Sequence, residues 1–259
     1  MLDAILVLSY NAHMWSYLLL GAIQGITEWL PISSQGIVAL SGHFMNLGMN
    51  EVDIALFLHL GTMMAVLVYF RKDWKSLILL RNPRLLRFLI IATIISLVIA
   101  FPLYHIVKSL IIGPALLVVT GVGLMGTAWL HRTRERRGWN FNKVTYVTGL
   151  LQGLSIIPGF SRSGATIFGL SLGRLSPPEI LKISYLMSLP VVLVSSFYLI
   201  WHEPLLLWAG WPALITSFIF GIISLRLLLK LSQQISFVFW AFLFSILCFV
   251  GAFISYLSL

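Results

Sequence analysis

The sequence predicts an all-α integral membrane protein, with six transmembrane helices and two re-entrant helical hairpins in an inverted-topology repeat. Three observations carry that prediction. The chain is 59% hydrophobic and 10% charged, with a mean hydropathy of +0.97, which excludes a soluble globular domain. The stretch Gly21–Gly36, GAIQGITEWLPISSQG, returns 128 residues later as Gly149–Gly164, GLLQGLSIIPGFSRSG. Gly21/Gly149, Gln24/Gln152, Gly25/Gly153, Ser33/Ser161 and Gly36/Gly164 are identical, and the offset is half the chain of 259 residues. Finally, the basic residues gather in groups that a membrane topology places on one face.

Taken in order, residues 1–131 form the first repeat and 132–259 the second, as one integrated membrane domain. Residues 1–13 lack a basic n-region and carry Asp3, so no cleavable signal peptide is expected. Segments ~14–30 and ~33–47 are apolar but short, and Pro, Gly and Ser interrupt them where a spanning helix would be continuous. Together they fit a re-entrant hairpin, ~14–47, whose broken backbone needs shielding by protein or a water-filled cavity. Three runs long enough to cross a bilayer follow, at ~52–70, ~86–104 and ~110–130. The pattern recurs as a hairpin at ~144–173, with arms ~144–158 and ~160–173, and spans at ~179–201, ~207–229 and ~235–257. Three spans per half is an odd number, so the second copy must lie upside down relative to the first. Paired, interrupted segments in corresponding halves point to a binding site near the membrane midplane.

The net charge of +9 does not point to nucleic acid, because of where the charges fall. Arg71, Lys72, Lys75, Arg81, Arg84 and Arg87 flank one loop, and Arg132, Arg134, Arg136, Arg137 and Lys143 occupy the link between repeats. Arg174 with Lys182 and Arg226 with Lys230 mark two more loops. These hold 15 of the 17 basic residues and share one face; Lys108 stands opposite and Arg162 lies inside a hairpin. By the positive-inside rule that face is cytoplasmic. The first hairpin then enters from outside and the second from the cytoplasm of a cell (plasma) membrane, with both termini extracytoplasmic. The run 132–143 reads as a solvated charge run, and the single cysteine, Cys248, cannot form an intrachain disulfide.

Within the hairpins, polar residues stand where the bilayer makes them costly. Glu28 follows a glycine-bearing helix with Gln24 one turn before it on the same face. A carboxylate at that depth marks a site, or else is neutralised by a proton or a structural hydrogen bond. Arg162, in Pro158-Gly159-Phe160-Ser161-Arg162-Ser163-Gly164-Ala165-Thr166, cannot shed its charge and needs an anion. That anion is either Glu28, in a buried salt bridge, or a phosphate. Ser161, Ser163 and Thr166 supply hydroxyl donors, and the helix start after the break adds its positive end. Ser33 and Ser34 mirror Ser161 and Arg162; they serve as helix N-caps or face the same anion, with Ser34 preferred as nucleophile or oxyanion donor. His59 either approaches the site from the side or is a hydrogen-bonded packing histidine, and Thr27 is a further candidate beside Glu28. Trp29, Trp201, Trp208 and Trp211 read as packing or interfacial aromatics.

At QGITEWLPISS (24–34) and PGFSRSGATI (158–167) the chain resembles the undecaprenyl-diphosphate phosphatase, or bacitracin-resistance protein, family, over essentially its whole length. The resemblance implies hydrolysis of a C55 isoprenyl diphosphate lipid to the monophosphate and phosphate, recycling the carrier lipid for envelope synthesis. It also implies a divalent cation, Mg or Ca, with Glu28 as its ligand. Gln24 and Glu28 fall on the family's E/Q-x-x-x-E positions, Ser33 and Ser34 on its serine pair, and Arg162 with Ser161 and Ser163 on its arginine turn. The chain departs from the family where x-G-H is usual: here the run is Gln35-Gly36-Ile37. His43 lies six residues on, about 9 Å along a helix, too far to substitute. Three outcomes stay open: Glu28 acts as base without that histidine, His59 replaces it, or the protein is slow or inactive. A polyprenyl-phosphate flippase using the same site without hydrolysis is the alternative function. A monomer and a dimer fit equally.

Overall fold

A computed structural model describes residues 2–30, 33–45, 51–110, 114–132, 140–157, 159–173, 175–203, 205–231 and 237–257. Pro31, Pro158, Arg174 and the link at 133–139 lie outside them. All regular structure among the described residues is helical: α1 (Leu2–Thr27), α2 (Ser34–Met45), α3 (Glu51–Tyr69), α4 (Arg71–Ile78), α5 (Pro83–Leu110), α6 (Pro114–Arg132), α7 (Phe141–Leu154), α8 (Arg162–Ser171), α9 (Pro177–His202), α10 (Leu205–Leu231) and α11 (Phe237–Leu257). Among these residues, Pro83–Val107, Pro178–His202 and Gly210–Lys230 are long and apolar enough to cross a membrane. Asp53–Tyr69 with Arg71–Ile78 makes a fourth if the pair, bent by 80°, is one span.

Helix boundaries follow local chemistry. Asn140 caps α7 by accepting from Lys143 N at 3.0 Å, and Asn82 accepts from Leu85 N at 3.1 Å at the start of α5. The capping box of Ser176 and Glu179, with Pro177 in the first turn, opens α9. Two elements differ from expectation. The first arm is longer than ~14–30, since α1 already begins at Leu2. The basic stretch after Tyr69, expected as a loop, contains α4, whose Leu77 is buried while Ile78 is exposed. Eight residues are too few for periodicity to separate such a surface helix from a loop.

The two sets of helices pack reciprocally. α1 runs along α10, and α7 runs along α5; α3 meets α9, and α6 meets α11. The identical glycines explain the first two pairings. A Cβ at Gly25 would sit 2.6 Å from Gly221 N, and one at Gly153 2.8 Å from Ile99 Cβ and 2.9 Å from Ser96 O. With no side chain in the way the backbones close up, and Ser96 Oγ reaches Gly149 O at 2.9 Å while Ser224 Oγ reaches Gly25 O at 2.5 Å. Outward faces are apolar: Ile215, Ile219, Ile223 and Leu227 form an exposed stripe along α10. Trp201 and Trp211 also face outward, whereas Trp29 is fully buried with Nε1 donating to Gly221 O at 2.8 Å.

Candidate functional site

Both helical hairpins break at matching places, and the breaks meet. Ser33 and Ser161, identical in the repeat, do the same work: Ser33 Oγ accepts from Gly36 N at 3.3 Å and Ser161 Oγ from Gly164 N at 3.1 Å, capping α2 and α8. Ser33 also accepts from Gly159 N at 3.2 Å, and Ser163 Oγ donates to Leu30 O at 2.9 Å, so each tip is tied to the other. The backbone is held out of its comfortable range here. Ser33 has φ of 59°, in the left-handed region that costs a non-glycine residue about 1–3 kcal/mol, and Gly159 has φ of 90°. Strain of this kind persists only where surrounding contacts enforce it, and Ser33 has two such hydrogen bonds.

The joined tips gather four side chains from four elements. The Glu28 carboxylate, from the end of α1, is buried; its Oε2 accepts from Gln24 Nε2 at 2.8 Å and from Ser34 Oγ at 2.5 Å. Its Oε1 accepts from Arg162 Nη2, the first residue of α8. His59 Nε2, from α3, lies 3.2 Å from Oε2. Because Ala55 O, at 2.6 Å, can only accept, His59 Nδ1 carries a proton, and Nε2 and Glu28 Oε2 share whatever proton lies between them. The ion pair of Glu28 and Arg162 is therefore real, as one of the two expectations for Arg162 required. It uses only part of a guanidinium with five donors; Nη1 is 3.5 Å from Ser184 O, and Arg162 still lines the cavity.

That cavity, of about 20 Å³, is lined by Glu28, Ser33, Ser34, His59, Ser161, Arg162 and Ser163, together with Gln35, Ser155 and Phe160. Three candidates stand outside it. Thr166 turns its hydroxyl to Arg162 O at 2.9 Å and to Ser184 Oγ at 2.6 Å, and Thr27 bonds Ile23 O at 2.7 Å. Gln24 holds Glu28 from behind, its Oε1 buried without a partner among the described residues. Ile37 also points away, into an apolar cluster with Leu124, Ala128 and Cys248. Sequence reasoning passed over Gln35, Ser155 and Gln152, although the repeat flags Gln152 as the counterpart of Gln24.

A second, apolar cavity of about 170 Å³ adjoins the first through Gln35, His59, Ser155 and Arg162. Leu56, Leu97, Phe101, Val192 and Leu199 line its length. It therefore runs toward the ends of α3, α5 and α9 remote from the basic loops.

A resident divalent cation does not fit the residues present. One carboxylate faces the cavity, and both its oxygens already accept from Arg162, Gln24 and Ser34. Hard cations need several oxygen ligands, and among the described residues no group of three His, Cys, Asp or Glu side chains comes together.

Residues 17–251 match the family model described as bacitracin resistance protein BacA. The chain is 33% identical to the undecaprenyl-diphosphatase of Methanococcoides burtonii over 242 residues, covering 85% of this chain and 91% of that protein. It is 35% identical to that of Methanothrix thermoacetophila over 232 residues, 85% and 90% of the two chains. A third such relative, from Methanopyrus kandleri, is 34% identical over 247 residues, 87% and 91% of the two chains. With its apolar helices and a match over nearly its whole length, this multi-pass membrane protein belongs to the bacitracin resistance protein BacA family.

Proposed function

We propose that the protein hydrolyses the terminal phosphate of undecaprenyl (polyprenyl) diphosphate, giving the carrier monophosphate and inorganic phosphate. The carrying observation is the Ser34 hydroxyl held 2.5 Å from Glu28 Oε2 in a cavity shared with Arg162. A hydroxyl, a base to take its proton and a fixed cation are what phosphoryl transfer needs at one point. The names of the relatives support the substrate.

The head group enters the small cavity while the isoprenyl chain occupies the apolar groove. Its terminal phosphate competes with Glu28 for Arg162, freeing the carboxylate to act as base. Ser34 Oγ attacks the terminal phosphorus as its proton passes to Glu28 Oε2, and the bond to the bridging oxygen breaks, its electron pair leaving with the lipid monophosphate. Arg162 offsets charge on the phosphoryl oxygens, aided by the hydroxyls of Ser33 and Ser161 and the helix starts they cap. Water then attacks the phosphoserine. Its hydroxyl stays on phosphorus, its proton passes to His59, and Glu28 returns the first proton to Ser34 as phosphate departs. One proton per turnover is left for bulk water.

The same reading extends to topology. Reciprocal packing of α1 on α10 and α7 on α5 through repeated glycines supports two inverted copies with six spans and two hairpins. With the basic face cytoplasmic, the groove opens toward the outer leaflet of the plasma membrane.

The test is phosphate release from undecaprenyl diphosphate by purified protein in detergent. Wild type turns over; Arg162→Ala and Glu28→Gln fall by about 10³-fold or more; acid quenching traps labelled phosphate on Ser34. Labelled polyprenyl phosphate crossing liposomes with no phosphate released would favour the flippase instead.

A further inference from the structure

The polar cavity and the apolar groove meet at four side chains, Gln35, His59, Ser155 and Arg162. Three have partners. His59 bonds Ala55 and faces Glu28, Ser155 Oγ donates to Gln152 O at 2.6 Å, and Arg162 pairs with Glu28. Gln35 differs: it is 8% exposed, and its Nε2 has no hydrogen-bond partner among the described residues. A buried amide donor left unmatched is costly, and native proteins keep few of them without a use.

The repeat sharpens the contrast. Gln35 aligns with Ser163, and both follow the residue that opens a capped helix. Ser163 spends its hydroxyl on Leu30 O, fastening the hairpin tips together. At the equivalent place in the first copy the donor is longer, reaches the junction and fastens nothing.

We propose that Gln35 Nε2 binds the inner phosphate of the substrate, the one esterified to the lipid. The inference rests on the proposed diphosphatase reading. With the terminal phosphorus beside Ser34 and Arg162 and the chain in the groove, the inner phosphate must occupy the neck between them. The group needed there is a neutral donor: it recognises an anionic oxygen without holding the monophosphate product as tightly as a second cation would. Gln35 thereby separates two subsites. Inorganic phosphate samples the outer one, and a lipid monophosphate seats its only phosphate in the inner one.

The experiment uses full-length protein in detergent, with farnesyl diphosphate as substrate and farnesyl monophosphate and inorganic phosphate as inhibitors. Gln35→Leu removes the donor, and Gln35→Glu keeps the shape while replacing the donor with an anion. The inhibition constant for farnesyl monophosphate should rise about tenfold in Gln35→Leu and further in Gln35→Glu, with that for inorganic phosphate unchanged. An unchanged monophosphate constant overturns the assignment, as does an equal rise for both inhibitors. If wild type releases no phosphate, the diphosphatase reading fails on its own terms. Calorimetric binding of farnesyl monophosphate then decides the subsite: weaker binding to Gln35→Leu than to wild type upholds it, and equal or absent binding refutes it. Should Gln35→Leu not purify as a folded protein, Gln35→Glu carries the same comparison.

Discussion

Putting a histidine back at position 37 should gain nothing, and removing His59 should cost most of the activity. Ile37 is 7% exposed and packs with Leu124 and Ala128 of α6 and Cys248 of α11, and it does not line the cavity at Glu28. A histidine there sets an imidazole among apolar neighbours in place of an apolar side chain. Burying such a group unpartnered costs about 1–3 kcal/mol of stability. It places no nitrogen at the phosphate. His59 already stands 3.2 Å from Glu28 Oε2 with its other nitrogen fixed on Ala55 O. A positioned acid–base group is worth roughly 10²-fold or more in rate, so His59→Ala should lower kcat by about that factor. The assay is phosphate release from undecaprenyl diphosphate for wild type, Ile37→His, His59→Ala and the double variant, with thermal unfolding in detergent alongside. Ile37→His should unfold at lower temperature with kcat within about twofold of wild type. A gain of about tenfold or more in Ile37→His, or full activity in His59→Ala, would refute the assignment.

Two more expectations follow from packing and from the donor set. Gly153→Ala puts a methyl 2.8 Å from Ile99 Cβ and 2.9 Å from the backbone at Ser96, forcing α7 off α5. Overpacking of this kind costs about 1–3 kcal/mol, read as a lower unfolding temperature, whereas Gly126→Ala, with nothing within 4 Å, should be near neutral beyond a gain in helix propensity. Calorimetric titration of Mg²⁺ or Ca²⁺ into substrate-free protein should show no site tighter than about millimolar, and Gln24→Glu, which adds a carboxylate one turn from Glu28, should tighten it measurably. A tight site in the wild type would show that cation ligands other than Glu28 exist.

The hairpin breaks were legible because the residues that make them have little choice. Gly21 and Gly25, like Gly149 and Gly153, recur because another helix backbone passes where a Cβ would be. Ser33 and Ser161 recur because each caps the helix that restarts after its break. Glu28, Ser34 and Arg162 could be singled out by cost alone, since an ionic or hydroxyl group at that depth demands a reason. What could not be read is direction. Ile37 and Gln35 lie two residues apart on one helix, and only packing against α6 and α11 turns the first away while the second reaches the junction. His59 carried two readings until α3 came to rest beside α2 and its ring met Glu28. Thr166 looked like a phosphate donor by spacing, yet its hydroxyl bonds Arg162 O and Ser184 instead. Helix α4 was hidden by its own charge, which reads as a solvated loop.

Hydrolysis in place asks less of this fold than transport does. A lipid carrier has to move the head group from the cavity at Glu28 to the opposite face. On that side one apolar cluster reaches from Trp29, next to Glu28, to Phe88, Val144 and Leu170, which line a third cavity beside Arg84 and Lys182. Trp29 and Tyr185 are 1% and 0% exposed and meet edge to face at 5.3 Å. Trp29 Nε1 is held by Gly221 O, and Tyr185 Oη donates to Trp29 O at 3.2 Å. Passing a phosphate head group through would break both hydrogen bonds and desolvate its charges among aromatic rings, a penalty of several kcal/mol per charge. Cleavage requires only that Glu28 release Arg162 to the incoming phosphate, one charge-assisted contact exchanged for another with no net loss of pairing. The groove already offers the lipid a way in and, once the terminal phosphate is gone, the same way out.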